Sequence, residues 1–250
     1  MSPKIVPISK AAHAAVKINA PTDFPHAKNA HLARVGANEI ALASMDYPVV
    51  LIREPKGERF HFTAMLGFEN RENVYYRAPR WRASYVPASL ALVPFCLGQS
   101  ADDSNTLVPS IDESSPYLSQ DEGLALFDAD GAKTDFLNSA EKDLEALYQN
   151  ELATQHFIGR LKDLDLLRPF TLELKFADGR RKSVVGMFMV SHEKLAALPD
   201  AEALEFFRNG YLVPVYAMLS SLSQVQRMIE FRNEGDGVKI AGFDFKPADE

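Results

Sequence analysis

The chain has 250 residues, a net charge of -7, 46% hydrophobic and 24% charged residues, and one cysteine, Cys96. A core of this size folds without disulfides or structural metal, and a lone thiol rules out an internal disulfide, a thiolate zinc cage and an iron–sulfur cluster. The acidic balance argues against nucleic acid as partner, because phosphate binding concentrates Lys and Arg.

No apolar run approaches the roughly 20 residues that span a bilayer, so no membrane insertion is expected. Residues 1–7 lack the charged start, apolar middle and small-residue cleavage site of a secretory signal. The expected location is cytoplasmic, with signal-less export as the alternative.

Residues 1–36 carry Ala, His and Pro without a sustained period and are expected as an irregular arm. From Glu39 to Ile52 the β signal strengthens: Val49 to Ile52 follow Tyr47-Pro48 as an apolar run, the composition of a buried strand. Lys56-Gly57 offers a turn and Phe60–Leu66 alternates, which together predict a hairpin. Val74-Tyr75-Tyr76 reads as a third strand. Trp81, the only tryptophan, stands between Arg80 and Arg82 ahead of Pro87 and Pro94. Each proline lacks a backbone donor and disfavours helix for the residue before it, so Val86 and Val93 are expected to be extended. At most a helical turn fits between Pro87 and Leu92. Residues 99–106 read as a polar loop, and Leu107–Ile111 as a strand placed at an edge by Pro109. Leu126 to Gly131 runs into an Asp-Gly turn.

Helical character begins at Asn138. Asn138 or Ser139 is the expected cap, with Glu141 to Asp143 complementing the helix dipole. Leu144, Leu147, Tyr148, Leu152 and Ile158 form one apolar stripe, and the helix is expected to end near Leu167. Phe170–Phe176 and Ser183–Val190 predict a hairpin around Asp178-Gly179. Ser191 caps a short helix through Leu198, and a second helix runs from Asp200 or Ala201 to Asn209-Gly210. Val213–Phe231 reads as a final amphipathic helix, and residues 235–250 as a loosely held tail. The fold class is α+β: mostly antiparallel strands in the N-terminal half and a C-terminal hairpin, with helices concentrated after residue 138. Residues 37–234 are expected as a single domain.

No complete catalytic motif stands out. His26 and His31 lie in an unpatterned region, and His192-Glu193 lacks the second histidine of a zinc helix, so no metal site is expected. Gly98–Asp102 begins like a nucleophile elbow but lacks its second glycine, Ser220-Ser221 reads as close helix packing, and Cys96 as a small core residue. Asp112 and Asp128 belong to acidic pairs able to do acid–base work, although Asp128-Ala129-Asp130-Gly131 is also the spelling of a turn. His61 sits on a predicted strand between two phenylalanines. The cations of 77–82 read most simply as a solvated face. Arg80, Trp81, Arg82 and Tyr85 are the leading binding candidates, since guanidinium and aromatic faces attract. His61, Asp112 and Asp128 complete the candidate ligand-binding set.

Several motifs recur in a known order: Tyr47-Pro48-Val49-Val50, Met65-Leu66-Gly67-Phe68, Glu72-Asn73-Val74-Tyr75, Trp81 with Tyr85-Val86-Pro87-Ala88, and Pro94-Phe95. Gly123 to Asp128, Asp178-Gly179 with Val185-Gly186, Gly210-Tyr211-Leu212 and Tyr216 to Leu222 follow. Over roughly residues 35–233 the chain resembles the SapC family of bacterial proteins. It departs from the family at Val93, where tyrosine is more usual, and at Ser191-His192, where an acidic residue is. The family's name comes from an association with bacterial surface layers, and related genes lie near TonB-dependent receptors and flavin-dependent halogenase-like proteins. The resemblance, together with the absence of a complete catalytic motif, points to a binding or accessory protein in a nutrient-uptake or surface-related system, with an unknown protein or small-molecule partner; no cofactor is expected. The alternatives are an enzyme with a non-motif active site, acting with a flavin-dependent halogenase-like partner, and a surface-layer-associated protein.

Overall fold

A computed structural model describes residues 3–20, 22–54, 57, 59–100, 103 and 106–248. Lys56 of the expected turn lies outside them, as do Ala101 and Asp102 of the elbow-like stretch and Ser104 and Asn105 of the polar loop. The chain opens with β1 (Ile5–Pro7), α1 (Lys10–His13), β2 (Lys17–Ile18), a 3-10 turn (Pro25–Asn29) and β3 (Leu32–Arg34). A second 3-10 turn (Ala37–Glu39) leads into α2 (Ile40–Ala43), β4 (Val49–Arg53), β5 (Phe60–Met65), β6 (Tyr76–Arg77) and β7 (Arg80–Trp81). Next come α3 (Ala88–Ala91), β8 (Phe95–Gln99), β9 (Leu107–Asp112), β10 (Leu118–Ser119), β11 (Leu124–Ala125) and the long α4 (Asp135–Asp163). The chain closes with β12 (Leu167–Phe176), β13 (Arg181–Val190), α5 (His192–Ala196), α6 (Asp200–Arg208), α7 (Leu212–Ser221), α8 (Gln224–Asn233) and β14 (Ile240–Pro247). The fold is α+β, its described strands pairing antiparallel and its helices concentrated in the C-terminal half.

The chain divides into two compact units: Met1–Pro25 with Ala88–Gln149, and His26–Pro87 with Asn150–Glu250. The sequence reading treats 37–234 as one domain. Two of the three crossing points fall just after prolines, Pro25 and Pro87, and the third falls inside α4, where an unbroken helical period conceals it.

In the first unit β9 pairs with both β1 and β8, and β2 pairs with β10 and β11. The expected arm is therefore in part sheet: Ile5 to Pro7 line up against Ser110 to Asp112. Nor is β9 an edge strand. The Pro109 carbonyl, on the β1 side, accepts from Ile8 just past the end of β1, so the missing proline donor faces no strand partner. Thr134, rather than Asn138, starts α4: its Oγ1 accepts from the Leu137 amide at 3.3 Å. Leu137, Ala140 and Leu144, three and four residues apart, bury one helix stripe against Ile18, Phe95, Ile111 and Leu126.

In the second unit six strands run in the order β14-β12-β13-β4-β5-β3. The expected β4–β5 and β12–β13 hairpins both form. Opposite Thr171 the register slips by one residue, and Gly186, at φ 83°, takes the left-handed conformation that the bulge requires. Phe157 of α4 stacks on Phe62 of β5 with ring centroids 5.6 Å apart. On the same helix Thr154, Phe157, Ile158 and Leu161 are buried, whereas Leu152 of the expected stripe is 50% exposed. The helix ends at Asp163, and the chain reverses through Asp165 at φ 49° into β12. The expected terminal helix is two helices, because Ser220–Ser223 breaks the ladder: the Ser223 hydroxyl and amide both turn back to the Ser220 carbonyl. Ser221 is buried and accepts from the Val49 amide at 2.8 Å, fastening the start of β4.

The expected tail is corrected as well. Residues Ile240–Pro247 form an edge strand paired along β12, with Phe245 against Phe170 at 5.7 Å. Gly67 packs so tightly that an added Cβ would lie 2.2 Å from the Glu72 carbonyl oxygen, whereas one on Gly242 would meet nothing within 4 Å. Gly67→Ala is expected to lower unfolding stability by about 1–3 kcal/mol, and Gly242→Ala to change it by less than about 1 kcal/mol, both read by urea denaturation.

Candidate functional site

The Trp81 segment is held by a polar cluster at the end of α2. The amides of Asp46 and Tyr47 bond back to the Ala43 carbonyl, which sets both side chains just ahead of β4. Asp46 is buried. Its Oδ2 accepts from the backbone amides of Ser84 and Tyr85 at 2.8 and 3.0 Å, and its Oδ1 from Arg227 at 2.9 Å. Its carbonyl accepts from the Tyr75 hydroxyl at 2.7 Å. Tyr47 donates to the Tyr85 carbonyl and accepts from the Trp81 indole N–H at 2.9 Å. Tyr85 donates to Glu39, whose other oxygen accepts from the Gly36 amide at 2.8 Å. Burial pushes the Tyr47 and Tyr75 hydroxyls far above the ordinary tyrosine range, so both stay protonated as donors.

Beside this cluster, β6 and β7 form a two-residue ladder, Tyr76 against Trp81 and Arg77 against Arg80, extended by the Arg82 amide bonding to Tyr75. Successive side chains of such a ladder point to opposite faces. Trp81 meets Tyr47 on one side. Arg82, on the other, lies 3.6 Å from the ring centroid of Phe231. Tyr47, Tyr75 and Phe231 form a chain of ring contacts, with centroids 4.6 and 5.5 Å apart, that joins the cluster to this face.

Here a cavity of about 360 Å3 opens, lined by Tyr76, Arg77, Arg82, Phe231, Arg232 and Glu234 among others. The Glu234 carboxylate bridges two arginines: Oε1 faces Arg82 at 2.5 Å and Oε2 faces Arg77. Arg232 pairs with Glu72 at 2.8 Å. The hydrogen bond from Arg82, reinforced by the charges of Arg82 and Arg77, holds the Glu234 carboxyl below the ordinary glutamate range against the opposing effect of its partial desolvation.

The predicted residues fall in different places. Trp81 and Tyr85, both half-buried, belong to the polar cluster around Asp46, Arg82 to the groove, and Arg80 to the exposed surface. His61 is buried on β5 and its Nε2 contacts Glu54, whose carboxyl that bond lowers. Asp112 and Asp128 lie in the other compact unit and bind local backbone. Asp112 accepts from the Lys4 and Ser114 amides, and these bonds with the Ser114 hydroxyl outweigh burial and hold its carboxyl low. Asp128 accepts from the amides of Asp130 and Ala132, the spelling of a turn. Burial, helped by Asp112, pushes the Cys96 thiol up, away from the reactive thiolate. Among the described residues no group of three or more His, Cys, Asp or Glu is placed to hold a metal ion.

Sequence reading missed Asp46, Tyr47, Glu39, Phe231 and Glu234. An acid just past a helix end, as Glu234 is after Asn233, carries no signal of a partner some 150 positions away, which is the separation of Arg82 from Glu234 (152).

An α+β protein with a stapled aromatic segment and an arginine-lined groove is thus defined. The chain belongs to the SapC family, whose model matches residues 8–228. Searches of curated proteins and of solved structures returned no match. No helix among the described residues is long and apolar enough to cross a membrane.

Asp46→Ala strands two amides and a guanidinium, and is expected to cost about 3 kcal/mol in denaturant titrations. It should also shift Trp81 emission to the red, and an unchanged spectrum would exclude Asp46 as the staple. Because the Glu234 carboxyl is lowered, its clamp is complete above the ordinary glutamate range of about 4.3 and is lost as pH falls through the depressed value. An NMR titration of that carboxyl should place its midpoint below that range in the native protein and closer to it in Arg82→Gln.

Proposed function

We propose that this SapC-family protein is a binding or accessory protein whose recognition site is the groove beside the Trp81 hairpin. In this reading it serves a bacterial nutrient-uptake or surface-related system from the cytoplasm. The observation that carries the proposal is Arg82, stacked on Phe231 and 19% exposed, beside a cavity of about 360 Å3. That volume falls within the roughly 300–1,000 Å3 of small-molecule sites. The ring chain from Tyr47 to Phe231 supports the same reading, because it preorganises the groove and lowers the cost of ordering it on binding. The uptake or surface setting is supported by the family's association with surface layers and with receptor genes.

An enzymatic reading is favoured by a different observation. The His61–Glu54 pair is a buried imidazole on a carboxylate, and Glu54 lines a separate cavity of about 500 Å3. Such a pair suits general acid–base work.

Native mass spectrometry of the protein isolated from its host separates the two. A retained mass that disappears in Phe231→Ala and persists in His61→Ala is the expected result. Turnover of a metabolite that is abolished by His61→Ala, in a variant of unchanged stability, would replace the binding reading with the enzymatic one.

A further inference from the structure

Resting on that reading of the groove, we infer that its ligand presents a carboxylate, and that Glu234 is a built-in stand-in that the ligand displaces. The two oxygens of Glu234 are divided between two arginines, Oε1 to Arg82 and Oε2 to Arg77. Two guanidinium groups, each donating to one oxygen, make a pair of charge-assisted hydrogen bonds suited to a carboxylate. The two arginines differ in freedom. Arg82 is anchored through its backbone amide to Tyr75 and through its guanidinium to Phe231, whereas the Arg77 side chain is 66% exposed.

Glu234 itself is replaceable. It follows the last residue of α8, its side chain is 41% exposed, and the next three residues are Gly235, Asp236 and Gly237, with Gly237 at φ 103°. The Arg77 half of the clamp is an exposed ion pair, which is weak, so a competing carboxylate meets least resistance there. A carboxylate on an apolar body has an added advantage, because Val74, Tyr76 and Phe231 line the same cavity and Glu234 brings no apolar group to them. Neighbouring Arg232 is already paired with Glu72, so Arg77 and Arg82, which share the single charge of Glu234, are the cations left for an incoming acid. The carboxylate comes either from a small acid or from the C-terminus of a peptide.

The test is an amide-resolved NMR titration with phenylacetate, N-acetyl-Gly-Phe, the amide of that peptide, and inorganic phosphate. In the native chain, phenylacetate should perturb the amides of Tyr76, Arg82 and Phe231. In Glu234→Ala it should bind about three- to fivefold more tightly, the range that loss of a weak exposed pair allows. Glu234→Gln, which keeps the bulk, should change in the same direction, and Arg77→Ala with Glu234→Ala should lose about tenfold against Glu234→Ala alone. Saturation by the peptide acid and not by phenylacetate assigns a peptide terminus, and the reverse assigns a small acid; both support the inference.

Equal binding of the peptide amide or of phosphate overturns it. So does the absence of any carboxylate response in a Glu234 variant whose Trp81 emission is native. A retained native ligand that occupies the groove without a carboxyl group would overturn the inference while leaving the groove as the binding site.

Discussion

The buried Asp46 carboxylate is the constraint on which the second unit's distinctive surface depends. A carboxylate taken out of water is tolerated only when its lone pairs are filled. Here two backbone amides of the Trp81 segment and one guanidinium of α8 fill them. The same three contacts that satisfy the charge also decide where residues 84 and 85 lie relative to α8. With those ends fixed, the indole reaches Tyr47 and the Tyr85 hydroxyl reaches Glu39.

The groove is a by-product of that fastening. Trp81 and Arg82 face opposite sides of a short ladder, so pinning the first toward Tyr47 turns the second toward Phe231. The single tryptophan, the clearest mark in the chain, thus belongs to the support of the groove, and its neighbour Arg82 lines it. Arginines 77, 82 and 232 read alone as a basic patch. In the fold they meet Glu234 and Glu72, which leaves a surface of alternating sign and directional hydrogen bonds in place of a simple anion trap.

Elements defined by local pattern were legible. The alternation of Phe170–Phe176 with the Asp178-Gly179 turn, the Ser191 cap, and the Asn209-Gly210 stop all lie within a few residues of their causes. The family motifs were legible for the same reason, since they are short strings in order, and the model match over residues 8–228 covers them. Errors collected where a distant partner overrules local chemistry. Pro109 reads as an edge marker until β1 is seen to end just where its donor is missing. Phe243 and Phe245 read as a tail until β12 supplies their ladder.

Composition and period therefore settled the α+β class and the hairpins. Which residues meet was settled by packing. His61 found Glu54, seven positions away, within reach of a careful hairpin argument, whereas Arg82 found Glu234 and Asp46 found Arg227 across more than 150 positions. Side-chain contacts between elements depend on sheet order and helix placement, and these are fixed by burial of the whole apolar surface at once, a quantity no short stretch of chain contains.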